Sequence, residues 1–342
     1  MKMKHAAALS MAALMGLSLV GCGGSSAGTE TTAAADTKAA DSKAADNAGS
    51  ADGEQVVINF FHRWPNDPKN SMFKELVQEY MDENPNVTIN MDCILNDQYK
   101  EKIRMIVGTD EVPDIFSSWS GTFAQEMIAS GNVAPLNDMY EADKDWSSQI
   151  AQASVDKFTF DGQIYAVPLN IAAACAFYNT EMFEAAGAEV PKTWDEMIAA
   201  CDKLQAAGYT PITISAGTAW CLSMVAGYLC EMEDVDLAAL ADGSASWTDG
   251  KLASAAEKLV QLSQYFQKTA AGDTNDVATA NFYNEEAAIL IQGSWAIAQI
   301  NGSNPDFESK CGVFQFPGVE RVIAKSDSLA MSSSTKNPEA CI

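Results

Sequence analysis

"PDIFSSWSG", residues 113–121, decides how the first part of the chain reads. Residues 114–118 form a short apolar run bounded by a proline–acid pair and a glycine, the mark of a buried strand, and Trp119 stands where that strand stops. Upstream, residues 98–107 have helical spacing and residues 87–95 read as another strand. Further back, 67–83 carries Met72, Leu76 and Tyr80 at helical intervals behind a β-branched and aromatic run at 55–61. Downstream, 123–129 reads as a helix. The order βαβαβα predicts a parallel sheet with helices on both faces, hence an α/β lobe.

The chain then changes character. Residues 158–168, "FTFDGQIYAVP", predict a hairpin around Asp161-Gly162, and 169–178 is an apolar run long enough to cross to a second lobe. Helices are expected at 180–186 and 193–207, where Thr193 and Glu196 have capping-box spacing. A strand at 210–215, helices near 219–231 and 251–267, and the strand "AILIQ" at 288–292 come next. Gly293-Ser294 breaks that strand and opens a helix, with Trp295 directly behind the break. Strands at 312–316 and 322–333 complete a second α/β lobe. At the end, "SSTKNPEA" announces a helix start two residues before the last residue, which leads us to expect that the natural protein continues.

The N-terminal residues differ from the rest. Of 342 residues 47% are hydrophobic and 20% charged, enough for a sizeable core and about two domains. Residues 1–21 have basic, apolar and small-residue zones in the order of a secretory signal peptide. "LVGC" at 19–22 resembles the lipobox of bacterial lipoproteins, which makes Cys22 the expected lipidation site and anchors the protein to a membrane without a spanning helix. Residues 23–53 are almost free of large apolar side chains and read as a flexible tether reaching roughly 30 Å. A formal charge of −25, from 21 basic and 46 acidic residues, excludes nucleic acid as a partner.

Catalytic motifs find little support. Of two histidines, His5 belongs to the signal peptide, so a hydrolytic triad would have to use His62, and no Gly-x-Ser-x-Gly elbow accompanies it. Zinc-type ligand spacing, Gly-x-Gly-x-x-Gly and Walker loops are missing, so neither metal nor cofactor is expected. Paired carboxylates such as Glu285-Glu286 or Asp138/Glu141 fit a solvated face better than glycoside hydrolysis. Eight cysteines, seven without Cys22, include no Cys-x-x-Cys pair and are expected to be mostly free, buried thiols.

The aromatic residues carry more information. Trp64, Trp119 and Trp295 come directly after strand ends, and Trp220 lies just beyond the strand at 210–215. Ligands of open parallel sheets bind outside the carboxyl ends of the strands, so these indoles are expected to line one cleft. Indole faces pack on apolar C–H surfaces beside polar groups, a combination that sugars present. Arg63, Asn66, Asp67, Ser120, Asn170 and Ser294 are the polar candidates.

The strand at 56–61, "PDIFSSWSG" (113–121), "GQIYAVPL" (162–169), "FYNTEMFEAAG" (177–187), "TWDEM" (193–197) and "AAILIQGSW" (287–295) together resemble, in order and spacing, extracellular solute-binding proteins of family 1. These are the sugar-binding lipoproteins of ATP-driven importers, with the maltose-binding protein as a distant relative. The resemblance implies the type II periplasmic-binding-protein fold, two α/β lobes joined by crossover strands with a ligand cleft between them. It implies crossovers near 168–172 and 328–331, lobe 1 at 54–168 plus 329–342, and lobe 2 at 169–328. It further implies a monomeric receptor that carries a mono- or oligosaccharide to the permease subunits of an ABC importer. By the same resemblance Trp295 corresponds to an aromatic that commonly stacks on the sugar in the family, and Arg63, Trp64, Trp119 and Trp220 fall in loops that usually touch ligand there. The resemblance also implies that a crossover acid used by the maltose binders is replaced here by Ala172 or a neighbour, with Asn170 expected to take part instead. A lipid-tethered carbohydrate-active hydrolase, and a receptor for a peptide, polyamine or metal, are the alternatives.

Overall fold

The computed structural model describes residues 54–241 and 243–342. The signal peptide, the lipidation site Cys22 and the tether therefore lie outside the described residues. The first strands and helices alternate as β1 (Val56–His62), α1 (Lys69–Glu83), β2 (Val87–Cys93), α2 (Asn96–Ile106), β3 (Ile115–Trp119) and α3 (Thr122–Ala129). Three short helices come next, α4 (Asn137–Ala142), α5 (Lys144–Ser147) and α6 (Gln152–Val155), then the hairpin β4 (Thr159–Phe160) and β5 (Gln163–Ile164). Asp161 and Gly162 both have positive φ in its turn, as a two-residue hairpin loop requires.

A long strand β6 (Val167–Asn179) leads to α7 (Thr180–Ala186), α8 (Trp194–Ala206), β7 (Ile212–Thr213) and α9 (Ala219–Met232). Thereafter come α10 (Leu237–Ala241), α11 (Gly250–Ser263), α12 (Asn275–Tyr283), β8 (Ile289–Gly293), α13 (Ile297–Ser303), β9 (Cys311–Phe314), β10 (Ala324–Met331) and α14 (Pro338–Cys341). The capping box of α8 is formed: the Glu196 amide donates to Thr193 Oγ1 at 3.2 Å, and the Thr193 amide donates to Glu196 Oε2 at 3.3 Å.

Apart from the β4-β5 hairpin, the strands make one curled sheet in the order β2-β1-β3-β10-β6-β8-β7, with β9 also paired to β6. β1 lies parallel to β2 and β3, as the βαβ reading requires, while β10 enters antiparallel to β3. β6 unites the two halves. Residues 167–173 pair with β10, whereas Ala174 onwards pair with β8 and β9. A strand of this length spans roughly 43 Å, more than one sheet half needs. Its register exchange falls at Ala173/Ala174, a little beyond the expected crossover at 168–172.

Alternation along the strands builds separate cores on the two faces of each half. In the first half, Phe60 packs with Trp64 and Phe73 of α1, while its neighbour Phe61 packs with Tyr99 and Ile103 of α2 and Phe116 of β3. In the second half, Ala176, Ile289 and Ile291 face α8 and α9, while Phe177 and Leu290 face Phe282, Ile300 and Phe307. Cys201, Cys221 and Cys230 are buried in the former cluster, and all seven described cysteines are free thiols.

Candidate functional site

Four of the tryptophans meet where the carboxyl ends of β1 and β3 approach β8 and the start of α9. The first wall is ionic. Arg63, directly after β1, donates from Nη1 to Asn96 Oδ1 at 3.0 Å and forms a short charged bond from Nη2 to Asp327. Asp327 sits in β10 beside a register irregularity, is buried, and also receives Asn170 Nδ2 at 3.1 Å and lies 3.6 Å from Lys69 Nζ. A carboxylate this buried is tolerable only because each oxygen has cationic or amide partners. From Asn96 the hydrogen bonds continue: its Nδ2 donates to Asp97 Oδ1 at 2.8 Å, and the same oxygen accepts Trp220 Nε1 at 3.1 Å. The first turn of α2 thereby ties the first sheet half to α9 of the second.

The second wall is neutral. Trp295 Nε1 donates to Gln292 Oε1 at 2.9 Å, and Gln292 Nε2 makes a short bond to Asn275 Oδ1 at the start of α12. The indole folds back across Gly293, so close that a Cβ there would lie 2.2 Å from the ring. Trp220 meets Trp295 edge to face, with centroids 6.0 Å apart.

Cations link the indoles into a ladder. The Arg63 guanidinium lies 4.6 Å from the Trp64 centroid and 4.8 Å from that of Trp119. The Lys100 ammonium lies 5.0 Å from Trp119 and 4.9 Å from Trp220. The sequence Trp64–Arg63–Trp119–Lys100–Trp220–Trp295 is thus continuous in space, each cation over aromatic faces. Burial pushes Lys100 down to about 8, with Asp97 acting in the opposite direction.

The expected residues do not hold equal positions. Trp119, Trp220, Trp295 and Arg63 come together, and Trp295 at the open end is 37% exposed. Ser294 is exposed beside it, in a 3-10 turn that precedes the short α13; the expected helix therefore does not start directly at the glycine. Trp64 is less accessible than Trp295: it is 9% exposed, stacked on Phe73 at 5.5 Å and covered by Lys69 at 4.6 Å. Ser120 is buried, its Oγ accepting the Ser326 amide at 3.1 Å, so it fastens β3 to β10. Asn170 turns towards Asp327, its Oδ1 also accepting the Asp327 amide at 3.3 Å.

Asn96, Asp97, Lys100, Asn275, Gln292 and Asp327 are additions that the sequence reading misses. Two signals for them exist in the sequence: the polar "ND" at a strand-to-helix junction, and the acid Asp327 within the strand β10. His62 is fully buried, with Nδ1 accepting the Trp64 amide at 3.2 Å; burial lowers it to about 4, so the ring is neutral at pH 7 and packs against Trp64 and Phe73.

Residues 64–341 match the family model of the bacterial extracellular solute-binding proteins. The chain belongs to this family. Family members are substrate-binding receptors rather than enzymes, and among the described residues of this solute-binding protein no helix is long and apolar enough to cross a membrane. The chain is 23% identical to a multiple sugar-binding protein of Streptococcus mutans, over 84% of its own length and 69% of that protein's. It spans 56% and 63% of two uncharacterized extracellular-binding proteins of Pyrococcus horikoshii. Among solved structures, one from work on xylan utilization by Caldanaerobius polysaccharolyticus superposes with TM-score 0.77 at 28% identity, covering 84% of this chain and 76% of that one. A chitin oligosaccharide binding protein gives 0.75 at 27%, with the same coverage of 84% and 76%. The fold of this solute-binding protein is the type II periplasmic-binding-protein fold, as the resemblance implied.

Proposed function

We propose that this solute-binding protein is an extracytoplasmic carbohydrate receptor, taking a mono- or oligosaccharide between its sheet halves and handing it to an ABC permease. The observation that carries this reading is the indole–cation ladder ending in the exposed face of Trp295. Flat apolar faces bordered by charged and amide groups suit a sugar, whose ring has C–H faces and a hydroxyl rim. The names of the sugar-binding relatives support the same ligand class.

On this reading Trp119, Trp220 and Trp295 stack on sugar rings, while Arg63, Asn170 and Ser294 supply hydrogen bonds. Trp64 and Ser120 hold the first wall in place. Lobe 1 comprises 54–168 plus 329–342 and lobe 2 comprises 169–328, with Cys22 as the lipidated anchor of a monomer. Contacts to both lobes drive closure because they are stronger in the closed state than in the open one. A micromolar ligand requires about 8 kcal/mol, within reach of two or three stacked indoles and several hydrogen bonds.

Titrating a panel of mono- and oligosaccharides while following tryptophan fluorescence tests this. At least one member is expected to change the emission saturably, and silence across the panel overturns the proposal. Chromatography of the same mixtures separates receptor from hydrolase: the receptor returns its ligand intact, and new reducing ends would favour the enzyme.

A further inference from the structure

Two of the three indoles assigned to sugar stacking already carry a cation of the protein itself. The Lys100 ammonium lies 5.0 Å from the centroid of Trp119 and 4.9 Å from that of Trp220, while the two rings make no contact with each other among the described residues. One side chain of α2 thus bridges an indole at the end of β3 and an indole of α9, on faces that a stacked sugar ring would need.

The two cations over Trp119 are held differently. Arg63 is fixed through Asn96 and Asp327. Lys100 makes neither a hydrogen bond nor an ion pair among the described residues, and its ammonium rests on the indoles alone. Asp97 stands three positions earlier on α2, the spacing at which helix side chains are neighbours, with the acid on the favoured N-terminal side of the lysine. Its Oδ1 accepts from Asn96 and Trp220, whereas its Oδ2 has no hydrogen-bond donor among the described residues. The ammonium therefore has two places to sit: over the indoles, as here, or drawn back along α2 onto Asp97. Cation–π contacts and ion pairs along a helix are both weak interactions, so neither place locks the side chain.

We infer that Lys100 is a built-in stand-in for the ligand: in the unliganded protein it occupies the faces of Trp119 and Trp220, and an entering sugar ring stacks there by driving the ammonium back onto Asp97. This rests on the saccharide-receptor reading and adds an internal competitor to it. The apparent affinity is then the intrinsic one multiplied by the fraction of molecules whose indole faces are free.

The test is calorimetric titration of the whole protein with neutral oligosaccharides: maltotriose, xylotriose, raffinose and N,N′-diacetylchitobiose. For those that bind, Lys100→Ala is expected to bind about tenfold more tightly than the wild type, as when the faces are free in about one molecule in ten. Lys100→Arg, which keeps a cation over the rings, is expected to return the affinity to the wild-type level. Burial pushes Lys100 down to about 8, with Asp97 acting in the opposite direction, so raising the pH from about 7 to about 9 removes the charge of the competitor. Wild-type affinity is expected to rise several-fold over that interval, and that of Lys100→Ala to stay level. The charged and titratable groups facing Lys100 are Asp97 and Arg104 of α2, Arg63 behind β1 and Cys221 of α9; of these, Cys221 is raised to about 12 and stays neutral throughout. Unchanged or weaker binding by a Lys100→Ala variant with the wild-type unfolding midpoint overturns the inference and leaves the receptor reading standing. So does a wild-type affinity that is level or falls over the same pH interval, a series that decides the matter even where the variant fails to fold. Absence of binding by every saccharide overturns both.

Discussion

Trp64 and Trp295 both stand just behind a strand end, yet Trp64 is 9% exposed and Trp295 37%. The difference lies in the chain that each indole leads into. Behind Trp64 the chain enters the long helix α1, which lays Phe73 on the indole, and Arg63 and Lys69 cover what remains. Behind Trp295 comes a single 3-10 turn and a short helix, and the ring rests on the backbone of Gly293. One residue type in one local context thus gives a packed brace on the ionic wall and an accessible platform on the neutral wall. The ionic wall is fixed by charges that cannot be left unpaired, whereas the neutral wall is held by an amide pair, Gln292 and Asn275, which is less costly to disturb.

The largest effect expected from this contrast is on stability. Trp64→Ala is expected to cost about 3–5 kcal/mol in denaturant unfolding, as for other buried aromatic truncations, whereas Trp295→Ala should change stability by less than about 1 kcal/mol. Equal losses would erase the distinction between brace and platform. Next, Asp327→Ala leaves Arg63 buried without its counterion and is expected to cost about 3 kcal/mol, against about 1 kcal/mol for Asn275→Ala on the neutral wall, measured in the same unfolding series.

The ionic wall also responds to acid. His62 titrates at about 4 in the folded protein against an ordinary 6.5, so the unfolded chain takes up the proton first. Its contribution is complete above about pH 6.5 and is lost as pH falls towards 4, roughly 2 kcal/mol after allowance for solvent screening. Comparing unfolding midpoints of the wild type and His62→Gln across that window isolates it, since the variant should have a shallower slope. The smallest expected effect is on the neutral wall. Gly293→Ala sets a methyl against the Trp295 ring, displaces the platform and should weaken saccharide binding about tenfold, or about 1.4 kcal/mol, with the fold retained.

The alternating strands and helices of the first half are legible in the sequence because buried parallel strands and amphipathic helices each leave a local period, and β6 because a long, mostly apolar run has few other uses. The capping box of α8 is visible residue by residue. The network is not, since its bonds join distant positions: Asp97 to Trp220 spans 123 residues and Arg63 to Asp327 spans 264. No local pattern encodes such pairs. Strand-end tryptophans indicate where to look, but Trp64 and Trp295 share that signature, and only packing by the succeeding helix tells brace from platform.

Whether Trp295 is the saccharide platform is decided by the affinity of Trp295→Ala for whichever saccharide the wild type binds, measured by calorimetry. A loss of roughly thirtyfold or more is expected, with the unfolding midpoint nearly unchanged, as for removal of an indole whose role is to stack on the ligand. Wild-type affinity in this variant would contradict that role and place the saccharide elsewhere.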